Sequence, residues 1–251
     1  GSDASNNKTV AVKDGDDYII NGRKCFITNG GIADFYIVTA MTDKTKGVKG
    51  MSAFLVEKGT KGLSSGNEEN KMGIRTSNTT DVIFEDMRVP ASAMIGAEGT
   101  GFKTCMETLD ITRALMGIGA TGIMQRCVDE AVAYSKQRIT FGQPIGKFQA
   151  IQFMIADMEI KTETARQMSL HALKLQELGL PYSKESAIAK CYAGDMAVKV
   201  ALDAIQILGG YGYSREYPVE KLLRDAKIFQ LYEGTNQIQR VVISRSVMGK
   251  F

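Results

Sequence analysis

At Gly99 the hydrophobic rhythm of the chain changes, and that change limits what the chain can fold into. Upstream, apolar residues come in short runs: Tyr18-Ile19-Ile20, Cys25-Phe26-Ile27, Phe35 to Ala40, Met51 to Val56 and Thr79 to Phe84, with Val89-Pro90 closing the region. Runs this short, bounded by Gly, Asn, Asp and Lys, read as strands. Asn21-Gly22 tolerates positive φ at both positions and predicts a hairpin turn between the first two runs. Downstream, apolar residues recur every three or four positions, which predicts helices from Phe102 to about Arg138, Gln149 to Leu178 and Ser183 to Leu208. Gly117, Gly119 and Gly122 recur within the first helix. Each costs up to ~1 kcal/mol of helix propensity, so close approach of another helix or a ligand is expected there. In the third helix Ile188, Cys191, Asp195, Val198, Leu202 and Ile205 trace a bundle seam, and a Lys or Arg from a neighbouring helix is the expected partner of Asp195. The fold class is therefore α+β and multidomain. A small antiparallel β domain, barrel-like, occupies residues 1–96, and a C-terminal four-helix up-and-down bundle occupies residues 97–251, its fourth helix starting at Thr235.

Composition removes several function classes. The formal charge is +3 from 31 basic and 28 acidic residues, without a long basic run, so wrapping of nucleic acid is not indicated. The single His171 and the separated Cys25, Cys105, Cys127 and Cys191 argue against a zinc cluster or a disulfide framework, so no metal is expected. No apolar run has the length of a bilayer span and the start carries no signal-peptide pattern, which leaves a cytoplasmic protein as the default expectation.

The irregular joints of the helical half hold the chemistry-bearing residues: Arg138 to Gly142, Gln206 to Gly212 and Tyr232 to Gln237. Joints after odd and even helices of an up-and-down bundle gather at opposite ends. A second subunit brings them to one ligand, so an oligomer with shared sites is expected. Around the last joint, Leu222, Leu223, Ala226 and Phe229 give one helix an apolar face, and Ile238, Val241, Val242 and Ser246 give the next a comparable one. Gly234 interrupts the pattern and Thr235 suits an N-cap, which puts Glu233 on the bend. Two readings stay open at this point: an acid favouring the positive end of the next helix, or a positioned carboxylate base.

The stretch L-Y-E-G-T-N-Q-I-Q-R, with Y-S-K-Q-R-I-T-F-G-Q-P-I-G-K-F-Q-A, A-I-Q-I-L-G-G-Y-G-Y and F-I-T-N-G-G, resembles the acyl-CoA dehydrogenase family, flavoproteins that oxidise the Cα–Cβ bond of acyl-CoA thioesters. The last joint, together with M-E-T-L-D before Arg113, is most similar to short-chain, butyryl-CoA-like members. The resemblance covers the middle β domain and the C-terminal bundle and implies that the family's N-terminal helical domain is absent. It makes Glu233 the base that removes the α-proton while the β-hydride passes to flavin. Some members carry the base at the position of Thr112, where threonine cannot serve.

For FAD, the resemblance implies contacts from Phe26, Ile27 and Thr28 beside the ring, from Arg138 and Thr140 at the pyrophosphate across the dimer, from Gln149, Gln206, Gly209 and Gly210 of a partner subunit, and from Thr235 and Gln237 near the adenosine. Arginine suits a phosphate because its fork gives two parallel charge-assisted bonds, although Arg138 also reads as a helix C-terminal dipole partner. For the acyl-CoA substrate it implies Ser2, Asp110, Arg113 and Gly234. Asp110 and Arg113, three apart, equally read as a mutual ion pair. Electron-transfer flavoprotein is the implied acceptor, a homodimer or homotetramer the implied assembly, and the cytoplasm or mitochondrial matrix the implied location. The alternatives are an acyl-CoA oxidase and a non-catalytic flavin-binding scaffold.

Overall fold

β1 (Val10–Asp14) and β2 (Asp17–Thr28) pair antiparallel from Val10↔Asn21 to Asp14↔Asp17, around a turn at Gly15 with φ +63°. The chain is a computed structural model that describes residues 1–249. The turn expected at Asn21-Gly22 is thereby overturned: both residues lie inside β2. Gly22, at φ +148°, lies opposite a bulge in the neighbouring β6 (Thr79–Pro90), where Asp86 has φ +46°. The Asn21 side chain donates to the Asp86 carboxylate at 3.0 Å and accepts the Asp86 N–H at 2.8 Å. A Cβ on Gly22 would stand 2.8 Å from Thr9 Cα, so the pairing needs glycine there. A second register shift between Lys24 and Ile27 leaves Phe26 at φ +55° and 71 % exposed.

β3 (Phe35–Met41), β4 (Met51–Glu57), β5 (Leu63–Ser65) and β7 (Met94–Ile95) complete a seven-stranded sheet ordered β5-β6-β2-β1-β3-β4-β7. The sheet is mixed, which corrects the antiparallel expectation: β1 pairs parallel with β3 through Val10↔Met41. The cause is topological. β2 and β3 run in opposite directions with β1 between them, so β1 must be parallel to one of the two. The terminal strands β5 and β7 show no pairing with each other among the described residues. One face buries Ile20, Val38, Phe54, Val56, Phe84 and Met87, with the Tyr18 and Phe54 rings 5.1 Å apart.

The helices are α1 (Gly101–Gln137), α2 (Gln149–Glu177), α3 (Ser183–Leu208), α4 (Val219–Ala226) and α5 (Asn236–Met248). Contacts group residues 1, 3–71 and 75–108 into one unit, and residues 2, 72–74 and those from Leu109 onward into a second. In the second unit a continuous core joins Met124, Cys127 and Val128 of α1 to Met158 of α2, Val200 of α3 and Val219 of α4. Of Gly117, Gly119 and Gly122 within α1, two meet close neighbours: a Cβ on Gly117 would collide with the Ser169 hydroxyl, and one on Gly119 would stand 3.3 Å from the Phe229 ring.

The α3 seam differs from the expected one. Its buried side carries Ala187, Lys190, Gly194, Ala197, Ala201 and Ala204, whereas Leu202 is 50 % exposed. Small side chains let neighbouring backbones close on that side, which pushes the larger residues to its margins. α5 is rotated from the expected face: it buries Asn236 and Gln239, keeps Ile238 and Val242 half-buried and leaves Val241 exposed. Among the described residues no helix is long and apolar enough to cross a membrane.

Candidate functional site

α4 leads through the 3-10 turn Lys227–Gln230 to Glu233 and Gly234, which follow each other at φ +57° and +83°. Thr235 then caps α5, its hydroxyl accepting the Ile238 N–H at 3.2 Å. Two left-handed residues in succession reverse the chain, and for glutamate that conformation costs roughly 1–2 kcal/mol. Side chains from α3 and α5 hold it. Lys190 Nζ donates to the Gly234 carbonyl at 2.7 Å and to Asn236 Oδ1 at 3.0 Å. Gln239 Nε2 donates to the carbonyls of Glu233 at 3.1 Å and Gly234 at 2.9 Å. That orientation leaves the buried Gln239 Oε1 without a partner among the described residues, a penalty of about 1–3 kcal/mol accepted at this elbow. From α1, the Thr112 hydroxyl donates to Glu233 Oε2 at 2.7 Å.

The surroundings are charged and partly buried. Lys190 is 1 % exposed, and burial lowers its pKa to about 8 against the opposing pull of Cys191, Glu233 and Asp195; Arg113 adds to the lowering. Asp195 has the basic partner expected for it, Arg240 of α5 at 2.6 Å, and also accepts from Asn236 at 2.8 Å and Gln230 at 2.9 Å. Burial raises the Asp195 carboxyl, yet the bonds from Arg240, Asn236 and Gln230 together hold it below the usual range. Burial and then the Glu233 charge push the Tyr232 phenol up. Asp110 and Arg113 do form an ion pair, at 2.5 Å, on the same stretch of α1 as Thr112. Arg113 is nonetheless buried with its Nε unpartnered among the described residues, so that pair does not exhaust its donors.

A second constellation lies at the other joints of this unit. A cavity of about 610 Å³ is lined by Arg138, Thr140, Gly209 and Gly210, together with Tyr134 and Tyr211. Thr140 sits in β8 (Ile139–Thr140), turned back onto β9 (Gln143–Pro144) through Phe141 at φ +52°. The Arg138 guanidinium is 5.6 Å from the centroid of the Tyr211 ring. A Cβ on Gly209 or Gly210 would meet nothing within 4 Å, so main chain is open to a ligand there. Ile145, Ile207, Leu208, Ser214 and Glu216 complete the lining. The guanidinium fork, the hydroxyls, the bare glycines and the aromatic walls fit a ring-bearing group with a phosphate at Arg138, such as a dinucleotide, whereas the Glu216 carboxylate suits a neutral or donor-bearing part of it.

The other residues singled out from sequence are dispersed. Gln149 begins α2 and Gln206 lies in the last turn of α3; both are exposed, and neither lines the cavity. Thr235 and Gln237 belong to the elbow and the start of α5. Ser2 is exposed near the chain start. In the first unit, Phe26, Ile27 and Thr28 form the end of β2, with Ile27 packed against the sheet core and the other two exposed. No group of His, Cys, Asp and Glu among the described residues could hold a metal ion.

Sequence reasoning passed over Lys190, Asn236 and Gln239. A signal for Lys190 was present: with Ala187, Gly194, Ala197 and Ala201 it shares a ridge otherwise made of small residues, where a lysine must find internal acceptors. Asn236 and Gln239 gave none, because their burial follows from an α5 orientation that its apolar pattern contradicts.

Residues 99–248 match the family model described as acyl-CoA dehydrogenase, C-terminal domain, and residues 1–87 match acyl-CoA dehydrogenase, middle domain. The chain is 50 % identical over 247 residues to the short-chain-specific acyl-CoA dehydrogenase of Clostridium acetobutylicum, covering 98 % of this chain and 65 % of that one. It superposes on butyryl-CoA dehydrogenase from Megasphaera elsdenii with a TM-score of 0.97 at 50 % identity, covering 99 % of this chain and 65 % of that one. A third match, with a TM-score of 0.98 at 53 % identity over 100 % of this chain and 66 % of the other, is to a structure described as "Electron transferring flavoprotein of Acidaminococcus fermentans: Towards a mechanism of flavin-based electron bifurcation". The chain thus spans about 65 % of the length of the curated relatives it matches.

Proposed function

We propose, because this chain belongs to the acyl-CoA dehydrogenase family, that it oxidises the Cα–Cβ bond of a short-chain acyl-CoA thioester to the trans-2-enoyl-CoA, using FAD. The observation that carries this reading is the Glu233 carboxylate, presented on a braced left-handed elbow and oriented by the Thr112 hydroxyl. Glu233 takes the α-proton, and Thr112 fixes the carboxylate through Oε2 so that Oε1 is the atom that receives it. Bound FAD supplies the acceptor for the hydride leaving the β-carbon. Arg138 and Thr140 would hold its diphosphate across the dimer, Phe26, Ile27 and Thr28 would lie beside its ring, Gln149, Gln206, Gly209 and Gly210 would add contacts from a partner subunit, and Thr235 and Gln237 would serve near its adenosine. Ser2, Asp110, Arg113 and Gly234 position the thioester.

The same reading takes residues 1–96 as the middle β domain, with a barrel-like curl of its sheet. It takes residues 97–251 as a second domain in which α1, α2, α3 and α5 are the four helices of an up-and-down bundle. It makes the assembly a homodimer or homotetramer with shared FAD sites, in the cytoplasm or mitochondrial matrix. Electron-transfer flavoprotein is the acceptor in this reading, supported by the likeness to a chain solved under that description.

Anaerobic addition of butyryl-CoA to the FAD-loaded protein tests it. Flavin absorbance is expected to bleach in the wild type and to persist in Glu233→Gln with FAD still bound. Near-normal bleaching in Glu233→Gln removes Glu233 as the base, and none in the wild type removes the activity.

A further inference from the structure

Lys190 is the one lysine on the buried ridge of α3, and neither bond it makes is to a carboxylate. Its ammonium ends on the carbonyl of Gly234, the residue after the proposed base, and on the side chain of Asn236, the first residue of α5. Asn236 in turn donates to the Cys191 carbonyl at 3.0 Å and to Asp195 at 2.8 Å, which closes a polar cross-tie between α3 and α5 around the elbow. A side chain that loses its hydration to reach a main-chain carbonyl acts on the path of that main chain, and here the path is the one that aims Glu233.

We infer that Lys190 is a positioning residue for the Glu233 carboxylate, clamping the Glu233-Gly234 elbow through the Gly234 carbonyl in the orientation that proton abstraction needs. The inference rests on the reading of Glu233 as the base. Lys190 does not act alone: Gln239 grips the same carbonyl from α5, so the clamp is two-sided and its lysine arm is the charged one. The charged and titratable groups that act on Lys190 are Cys191 and Asp195 of its own helix, Arg113 of α1 and Glu233 itself. Charge-assisted bonds are roughly twice as strong as neutral ones, so the lysine arm is the one whose loss loosens the elbow most.

Lys190→Met, which keeps the length and removes the donor, is compared with the wild type in two measurements. Hydrogen exchange of backbone amides over residues 232–239 is expected to speed up ~10-fold or more, with α1, α2 and the rest of α3 unchanged, because one charge-assisted bond is lost locally. Flavin reduction at saturating butyryl-CoA is expected to slow by ~10- to 100-fold, well beyond any rise in the acyl-CoA dissociation constant through Gly234, since misplacing a reacting group by about 1 Å has that effect. Lys190→Gln, which retains a neutral donor, is expected to fall between the two, and it carries the comparison if Lys190→Met does not fold. Unchanged exchange at the elbow overturns the inference, as does faster exchange with a reduction rate equal to the wild type. A wild type that butyryl-CoA does not reduce sinks the dehydrogenase reading instead, and the exchange measurement still decides whether Lys190 clamps the elbow.

Discussion

Gly122 and Gly194 allow one substitution to be made twice with opposite expected signs. Each lies inside a long helix, α1 and α3 respectively, and neither is at positive φ. Alanine improves helix propensity by about 0.8–1.0 kcal/mol at either position. At Gly122 a Cβ meets nothing within 4 Å, so Gly122→Ala is expected to stabilise by nearly that whole amount. At Gly194 a Cβ would stand 2.5 Å from the Phe229 carbonyl oxygen, 3.0 Å from its carbon and 3.1 Å from Asn236 Nδ2. The obstacle is main chain and cannot rotate aside, so the cost falls in the upper part of the roughly 1–3 kcal/mol range for overpacking. After the propensity gain, Gly194→Ala is left about 1–2 kcal/mol less stable than the wild type. Urea midpoints followed by circular dichroism read both, with a spread of about 2–3 kcal/mol between the variants. Phe229 is four residues before Glu233, so the shift it must make also displaces the elbow, and slower flavin reduction is expected in Gly194→Ala alone. A Gly194→Ala protein as stable as Gly122→Ala would refute the packing argument outright.

Arg138→Ala removes the one guanidinium from the cavity lining and is expected to weaken FAD binding by ~10- to 100-fold, the equivalent of about one charge-assisted bond, without moving the urea midpoint of the FAD-free protein. An unchanged FAD titration would take the diphosphate away from Arg138. The cysteines should separate kinetically: burial pushes the Cys127 thiol up to about 12, so it is expected to react with a thiol reagent only on unfolding, whereas the exposed Cys25 reacts in the native protein. Native-state labelling of Cys127 as fast as that of Cys25 would contradict the burial argument.

The long helices were readable because many residues repeat one period, which averages out local exceptions. The ends expected for α2 and α3 fall within a residue of those observed. The sheet was harder. Asn21-Gly22 carries the strongest turn signature in the first unit, yet the same tolerance of unusual φ suits a bulge, and only the partner strand with Asp86 decides between the two uses. The parallel pairing of β1 and β3 depends on which edge a later strand joins, and no local pattern encodes that. The α3 seam was misplaced for a different reason: apolar periodicity weights large residues, but this helix packs through alanine and glycine, so Leu202 counted for more than Ala201. Thr235 as an N-cap was legible from residue type and position. Lys190 was legible only as a lysine on a small-residue ridge, and Asn236 and Gln239 not at all, because a buried polar clamp is defined by the backbone it grips rather than by any repeat.

The cavity beside Arg138 is walled in part by phenol rings. The chain has nine tyrosines and no tryptophan, so its ultraviolet emission is dominated by phenol rings. Tyr134 and Tyr211 line that space, their centroids 6.3 Å apart, and Tyr217 lies 6.0 and 5.4 Å from them. The polypeptide thus has a cluster of native fluorophores at the place where a light-absorbing molecule would settle, and occupancy becomes visible as quenching without any dye or engineered label.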